Sequence, residues 1–107
     1  MTNQTSNKVA LFITHKALPG KRDEVKKVWE KYMQPEIANN EDHENYFYCY
    51  NDNDPDTICV YQQYSGEESS QAFLKTPNYK NYLRETEPLL AGKPEITTAI
   101  PLWIKGV

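Results

Sequence analysis

Hydrophobic and polar positions divide the chain into strand-like and helix-like segments. Lys8–Ala17 (KVALFITHKA) alternates, with Val9, Leu11 and Ile13 on one side and Ala10, Phe12 and Thr14 on the other. Both sides are apolar, so this strand is expected to be covered on both faces, by helices on one and a second sheet on the other. Pro19-Gly20 breaks it. From about Lys21, Val25, Val28, Trp29 and Tyr32 fall at i, i+3, i+4 and i+7, the stripe of a helix lying on a sheet. Asp23 and Glu24 suit the positive end of its dipole. Pro35 is expected to kink or end the helix, with Ile37 adding a core contact.

Glu44–Tyr50 (ENYFYCY) alternates again, with Tyr46, Tyr48 and Tyr50 opposite Phe47 and Cys49. The turn-rich NDNDPD follows, and Ile58–Tyr64 returns as the second arm of an antiparallel hairpin. Ser65-Gly66-Glu67-Glu68 has the S-x-x-E form of a capping box, with Ser65 as N-cap of a short helix. Thr76-Pro77 is a second helix start, a hydroxyl cap followed by proline at the first helical position. In that helix Tyr79, Tyr82 and Leu83 share a face, and the pattern weakens near Pro88. Glu95–Ile104 is read as the last strand, with Pro101 marking an edge or bulge. The order is β-α-β-β-α-β, a ferredoxin-like α+β fold whose antiparallel sheet carries its helices on one face. A chain of 107 residues cannot cover the other face itself. The expected cover is a second copy, giving a two-fold homodimer with sheets back to back.

Composition narrows the partners. Residues 1–7 are read as a disordered N-terminal tail without the apolar stretch of a signal peptide, and 8–107 as one domain. With 12 basic and 15 acidic residues, net charge −3 and no basic block, nucleic acid is not an expected partner. No apolar run is long enough to span a membrane, and the expected location is cytoplasmic. Eight tyrosines suggest an interface or a cavity with polar points along an apolar wall. Cys49 and Cys59 flank the hairpin turn and are read as small buried thiols, near enough for a bridge to be conceivable. Neither a zinc-ligand spacing nor the layout of a calcium loop is present, so no metal is expected.

Pro19-Gly20-Lys21 and the block from Ile58 to Tyr82 resemble the antibiotic biosynthesis monooxygenase family, also called quinol monooxygenase-like, over roughly residues 8–104. The family block commonly reads E-x-W, then A-H-L, then S/T-P-H-aromatic. Here the matching positions are Gln62-Gln63-Tyr64, Ala72-Phe73-Leu74 and Thr76-Pro77-Asn78-Tyr79. The resemblance implies a dimeric α/β barrel and oxidation of a small aromatic or quinol-like compound by O2. It implies no cofactor, since the deprotonated substrate itself gives an electron to oxygen. Phe73 and Asn78 stand where relatives often carry histidine, Gln62 where they carry glutamate, and Tyr64 replaces tryptophan. No histidine lies in Tyr79–Thr86, which disfavours the haem ligation of some relatives.

His15, at the end of the first strand, is the candidate catalytic base. Tyr64, Phe73, Asn78, Tyr79 and Tyr82 are candidate substrate-binding residues for a small hydrophobic or aromatic ligand, with hydroxyls or an amide to orient its oxygen. His43 is read as structural, Trp29 as core and Trp103 as dimer core. Three functions fit these residues: the monooxygenase, a non-oxidative isomerase of a small carbonyl compound, and a catalytically silent dimeric ligand-binding protein.

Overall fold

The two most apolar strands take the centre of the sheet. In the computed structural model, which describes residues 7–106, strands β1 (Val9–Lys16) and β3 (Thr57–Tyr64) lie side by side. They are flanked by β2 (His43–Tyr50) and β4 (Glu95–Ala99) in the order β2-β3-β1-β4, and every neighbouring pair is antiparallel. Apart from Asn7, the expected N-terminal tail lies outside the described residues. Helices α1 (Arg22–Ala38), α2 (Glu67–Phe73) and α3 (Pro77–Thr86), with a 3-10 turn at Glu87–Leu89, complete the ferredoxin-like arrangement. Helix α1 packs against α3 over one sheet face.

Register sorts the side chains. Leu11, Ile13 and His15 face the helices together with their β3 partners Gln62, Val60 and Ile58. Two clusters form the core on that side. Trp29, Met33, Tyr64, Phe73 and Tyr82 form one, and Ala17, Val25, Ile58 and Val60 the other. On the opposite face Phe12, Tyr61 and Phe47 stand in one cross-strand row, with ring centroids 5.2 and 5.8 Å apart. Phe12 is 49% and Phe47 57% exposed. Cys49 and Cys59 are direct register partners on this face and both are free thiols, but they are not buried as expected. Cys49 is exposed and Cys59 half-buried, because among the described residues this face has no cover from the same chain.

Three local expectations are corrected. Helix α1 runs through Pro35 to Ala38. The proline sits in the last turn, where its carbonyl accepts from both the backbone N–H of Asn39 (3.2 Å) and the Asn39 side-chain amide (2.9 Å), so the end is closed despite the missing donor. Ser65 does not cap α2. Its hydroxyl donates to Asp42 Oδ1 (2.7 Å), and the N-cap moves to Gly66, whose N–H donates to Ser69 Oγ (3.2 Å). Strand β4 stops at Ala99 instead of reaching Ile104, because Pro101 brings no N–H to the ladder. Ile100, Leu102 and Trp103 are therefore exposed. The Thr76 cap is as expected, with the Tyr79 N–H donating to Thr76 Oγ1 (3.3 Å).

One irregularity turns a histidine toward the helices. The β2–β3 register shifts between His43 and Asn45, making Glu44 a bulge. On an unbroken strand residues 43 and 46 would point to opposite faces. With Glu44 inserted, His43 (opposite Tyr64) and Tyr46 (opposite Gln62) both point to the helix side. The Glu44 carboxylate is held from the other face by Lys8 Nζ (2.7 Å) and Gln63 Nε2 (2.8 Å).

Candidate functional site

Between the sheet and the helices lies a cavity of about 570 Å³. β1 contributes Leu11, Ile13 and His15 to its wall, β3 contributes Val60, Gln62 and Tyr64, and β4 contributes Ile96 and Thr98. Phe73 of α2 and Tyr79 and Tyr82 of α3 form the roof, with Trp29 and Met33 of α1 beside them. Of the candidate site residues, the structure brings His15, Tyr64, Phe73, Tyr79 and Tyr82 onto this one wall. Asn78, in the first turn of α3, does not line it. Trp29 serves as both core and cavity wall.

The lining contains no lysine or arginine, and its one acid, Glu67, is exposed. His15 Nδ1 is fully buried without a hydrogen-bond partner. Burial lowers the His15 pKa to about 4, so the imidazole is neutral near pH 7. Burial also raises the tyrosines. Tyr46 is pushed up to about 12, and Tyr64, Tyr79 and Tyr82 are also raised, so these hydroxyls keep their protons. Among the described residues the hydroxyls of Tyr79 and Tyr82 have no protein partner. Tyr46 accepts a hydrogen bond from Trp29 Nε1 (3.0 Å). The wall can thus donate O–H groups to a ligand oxygen, but carries no positive charge to hold a full anion.

His43 and Gln62 are parts of the site that sequence reasoning did not select. The His43 ring lies behind the cavity wall, 4.2 Å from the Tyr64 ring and 4.5 Å from the Phe73 ring between centroids. Its Nε2 is 3.0 Å from Gln62 Oε1, and its Nδ1 is 3.0 Å from Asn40 Nδ2. Tyr64 Oη donates to the same Gln62 oxygen (3.0 Å). Burial lowers the pKa of His43, against opposing pulls from the Gln62 hydrogen bond and the Asp42 carboxylate. The signal available in the sequence was the pair Asn40 and His43 around a tight turn. It becomes informative only once the Glu44 bulge is known.

Among the described residues no cluster of three His, Cys, Asp or Glu side chains is placed to hold a metal ion, and no helix is long and apolar enough to cross a membrane.

A ferredoxin-like sheet roofed by helices, with an apolar, tyrosine-lined cavity between the layers, defines a small α+β domain built around an internal cavity. The chain belongs to the antibiotic biosynthesis monooxygenase family, whose family model matches residues 9–85, and at that level its function is monooxygenase-like. No curated protein matches the sequence significantly. Solved structures share the fold. A candidate antibiotic biosynthesis monooxygenase from Chloroflexus aurantiacus is 22% identical, with a TM-score of 0.79 over 92% of this chain and 97% of that one. A second from Caulobacter crescentus is 19% identical, with a TM-score of 0.85 and 94% of each chain covered. Rv0793 from Mycobacterium tuberculosis is 16% identical, with a TM-score of 0.82 over 92% of this chain and 99% of that one.

Proposed function

We propose that the chain is a cofactor-independent monooxygenase that oxidises a small aromatic or quinol-like compound with O2, acting as a cytoplasmic homodimer. The observation that carries this is the open, cation-free cavity with the His15 imidazole and the unpaired Tyr79 and Tyr82 hydroxyls on its wall. Its volume suits a ligand of a few rings. Phe73, Tyr64 and Tyr79 line this space without filling it.

In the proposed reaction an activated ring carbon loses a proton, and the resulting anion passes one electron to O2. Recombination forms the C–O bond of a hydroperoxide, which eliminates water. One oxygen atom remains as a carbonyl, and the other leaves with the two hydrogens of that carbon, so no outside reductant is needed. The tyrosine hydroxyls, held protonated, donate to the developing oxyanion. His15 accepts a hydrogen bond from the substrate. Charge forming on the substrate beside the ring favours the ring's protonated form, so His15 strengthens as an acceptor when the substrate ionises.

Dimerisation is supported by the exposed row Phe12–Tyr61–Phe47, which no element of the same chain covers among the described residues. A second reading, a ligand-binding protein without turnover, is favoured by the low His15 pKa, which makes the free imidazole a weak base. Oxygen uptake with anthrones and quinols decides between the two. Saturable uptake, one O2 per ketone formed and at least tenfold slower in His15→Ala, supports the monooxygenase. Tight binding with uptake no faster than autoxidation assigns the binding protein.

A further inference from the structure

The polar groups behind the cavity form a chain with a single allowed direction. The backbone N–H of Asp42 donates to Asn40 Oδ1 (3.1 Å), which fixes the Asn40 amide with its nitrogen toward His43. Asn40 Nδ2 can only donate, so His43 Nδ1 accepts and the ring proton sits on Nε2. That proton is donated to Gln62 Oε1, which also accepts from Tyr64 Oη. A flipped Gln62 amide would place its NH2 against the His43 N–H, donor against donor. Gln62 Nε2 therefore points away from both. It has no protein partner among the described residues, and among those residues the only fully buried side-chain polar atoms left unpaired are His15 Nδ1 and Tyr48 Oη. The nitrogen thus faces open space, and Gln62 lines the cavity.

We propose that the Gln62 side-chain amide is a ligand-binding donor for a carbonyl or phenolic oxygen, and that His43 is the positioning residue that keeps it aimed. The proposal rests on the reading of the cavity as the ligand site and adds to it an anchoring point for one end of the ligand. Residue 62 lies opposite Leu11 and His15 opposite Ile58, so the two positions are about 13 Å apart between backbones along the strands. The amide is neutral and the lining holds no lysine or arginine, so it selects an uncharged acceptor and leaves a carboxylate unfavoured.

The test uses anthrone and 9,10-dihydroanthracene, which share three rings and differ by the carbonyl. Binding is read under argon by quenching of Trp29 in a Trp103→Phe background, where Trp29 is the one tryptophan left. Gln62→Met, of similar length but without the donor, is expected to weaken anthrone at least tenfold and dihydroanthracene less than twofold. His43→Phe, which keeps an aromatic ring against Tyr64 and Phe73, is expected to weaken anthrone three- to tenfold and leave dihydroanthracene unchanged. Equal weakening of both ligands, or of neither, overturns the proposal while leaving the cavity reading intact. Failure of the parent protein to bind either ligand overturns the cavity reading and the ligand role together. Independently of any ligand, long-range 1H–15N spectra should show His43 as the Nε2–H tautomer, and an Nδ1–H ring would overturn the proposed direction of the chain.

Discussion

Replacing His15 by glutamine should flatten the acid side of the protein's stability profile. The native chain holds this imidazole neutral down to about pH 4, whereas the unfolded chain takes up a proton near the ordinary value of 6.5. The contribution is therefore fully present above about pH 7 and is lost as pH falls from 6.5 to about 4, below which both states are protonated. The linkage relation gives a loss of about 2 kcal/mol between pH 7.5 and pH 5, and about 3 kcal/mol at the acid plateau. Carboxylates and His43 titrate in parent and variant alike, so the difference between their two profiles isolates His15. Urea unfolding followed by far-UV circular dichroism at pH 7.5 and 5.0 measures it. The parent is expected to lose about 2 kcal/mol more than His15→Gln over that interval. Parallel losses in the two proteins would refute the claim that His15 is buried without a partner.

Ile58, fully buried near the start of β3, should cost about 2–5 kcal/mol on truncation to alanine, read as a lower urea midpoint with unchanged slope. Thr76→Ala should cost about 1 kcal/mol by removing the acceptor for the Tyr79 N–H, and Thr76→Ser should retain most of it. Phe12→Asp combined with Phe47→Asp should halve the mass measured by sedimentation equilibrium without altering the far-UV spectrum. A parent protein already monomeric at tens of micromolar would exclude the outer sheet face as a stable interface.

Much of this architecture was legible because local pattern and tertiary environment agree. The alternation of Val9 to Thr14, the spacing of Val25, Val28, Trp29 and Tyr32, and the Thr76-Pro77 start each survive in the folded chain. His15 and the tyrosines were legible as cavity candidates because strand and helix periods place them on the helix-facing side. Where the reading failed, a distant residue took the local group. The Ser65 hydroxyl is held by Asp42, 23 positions away, so it is not free to cap α2. Asn78 has a capped helix start behind it, but the rotation of α3 presents Tyr79 and Tyr82 to the cavity instead. His43 was missed for a different reason. Simple alternation back from Tyr46 assigns it to the outer face, and the bulge reverses that assignment.

The Glu44 bulge makes the address of this histidine a matter of counting. Deletion of Glu44 alone would place His43 next to Asn45, opposite Tyr64 as before, and the imidazole would stay on the helix side. What the bulge absorbs is the parity of the count. Were Glu44 to pair regularly in the ladder opposite Tyr64, His43 would turn to the outer face of the sheet and Gln62 would be free to rotate. Related chains are therefore better compared at this place by the face each residue occupies than by the letters themselves. A histidine one place nearer the tyrosine row, in a chain without the bulge, is the same residue in space, and a gap placed at Glu44 aligns the two.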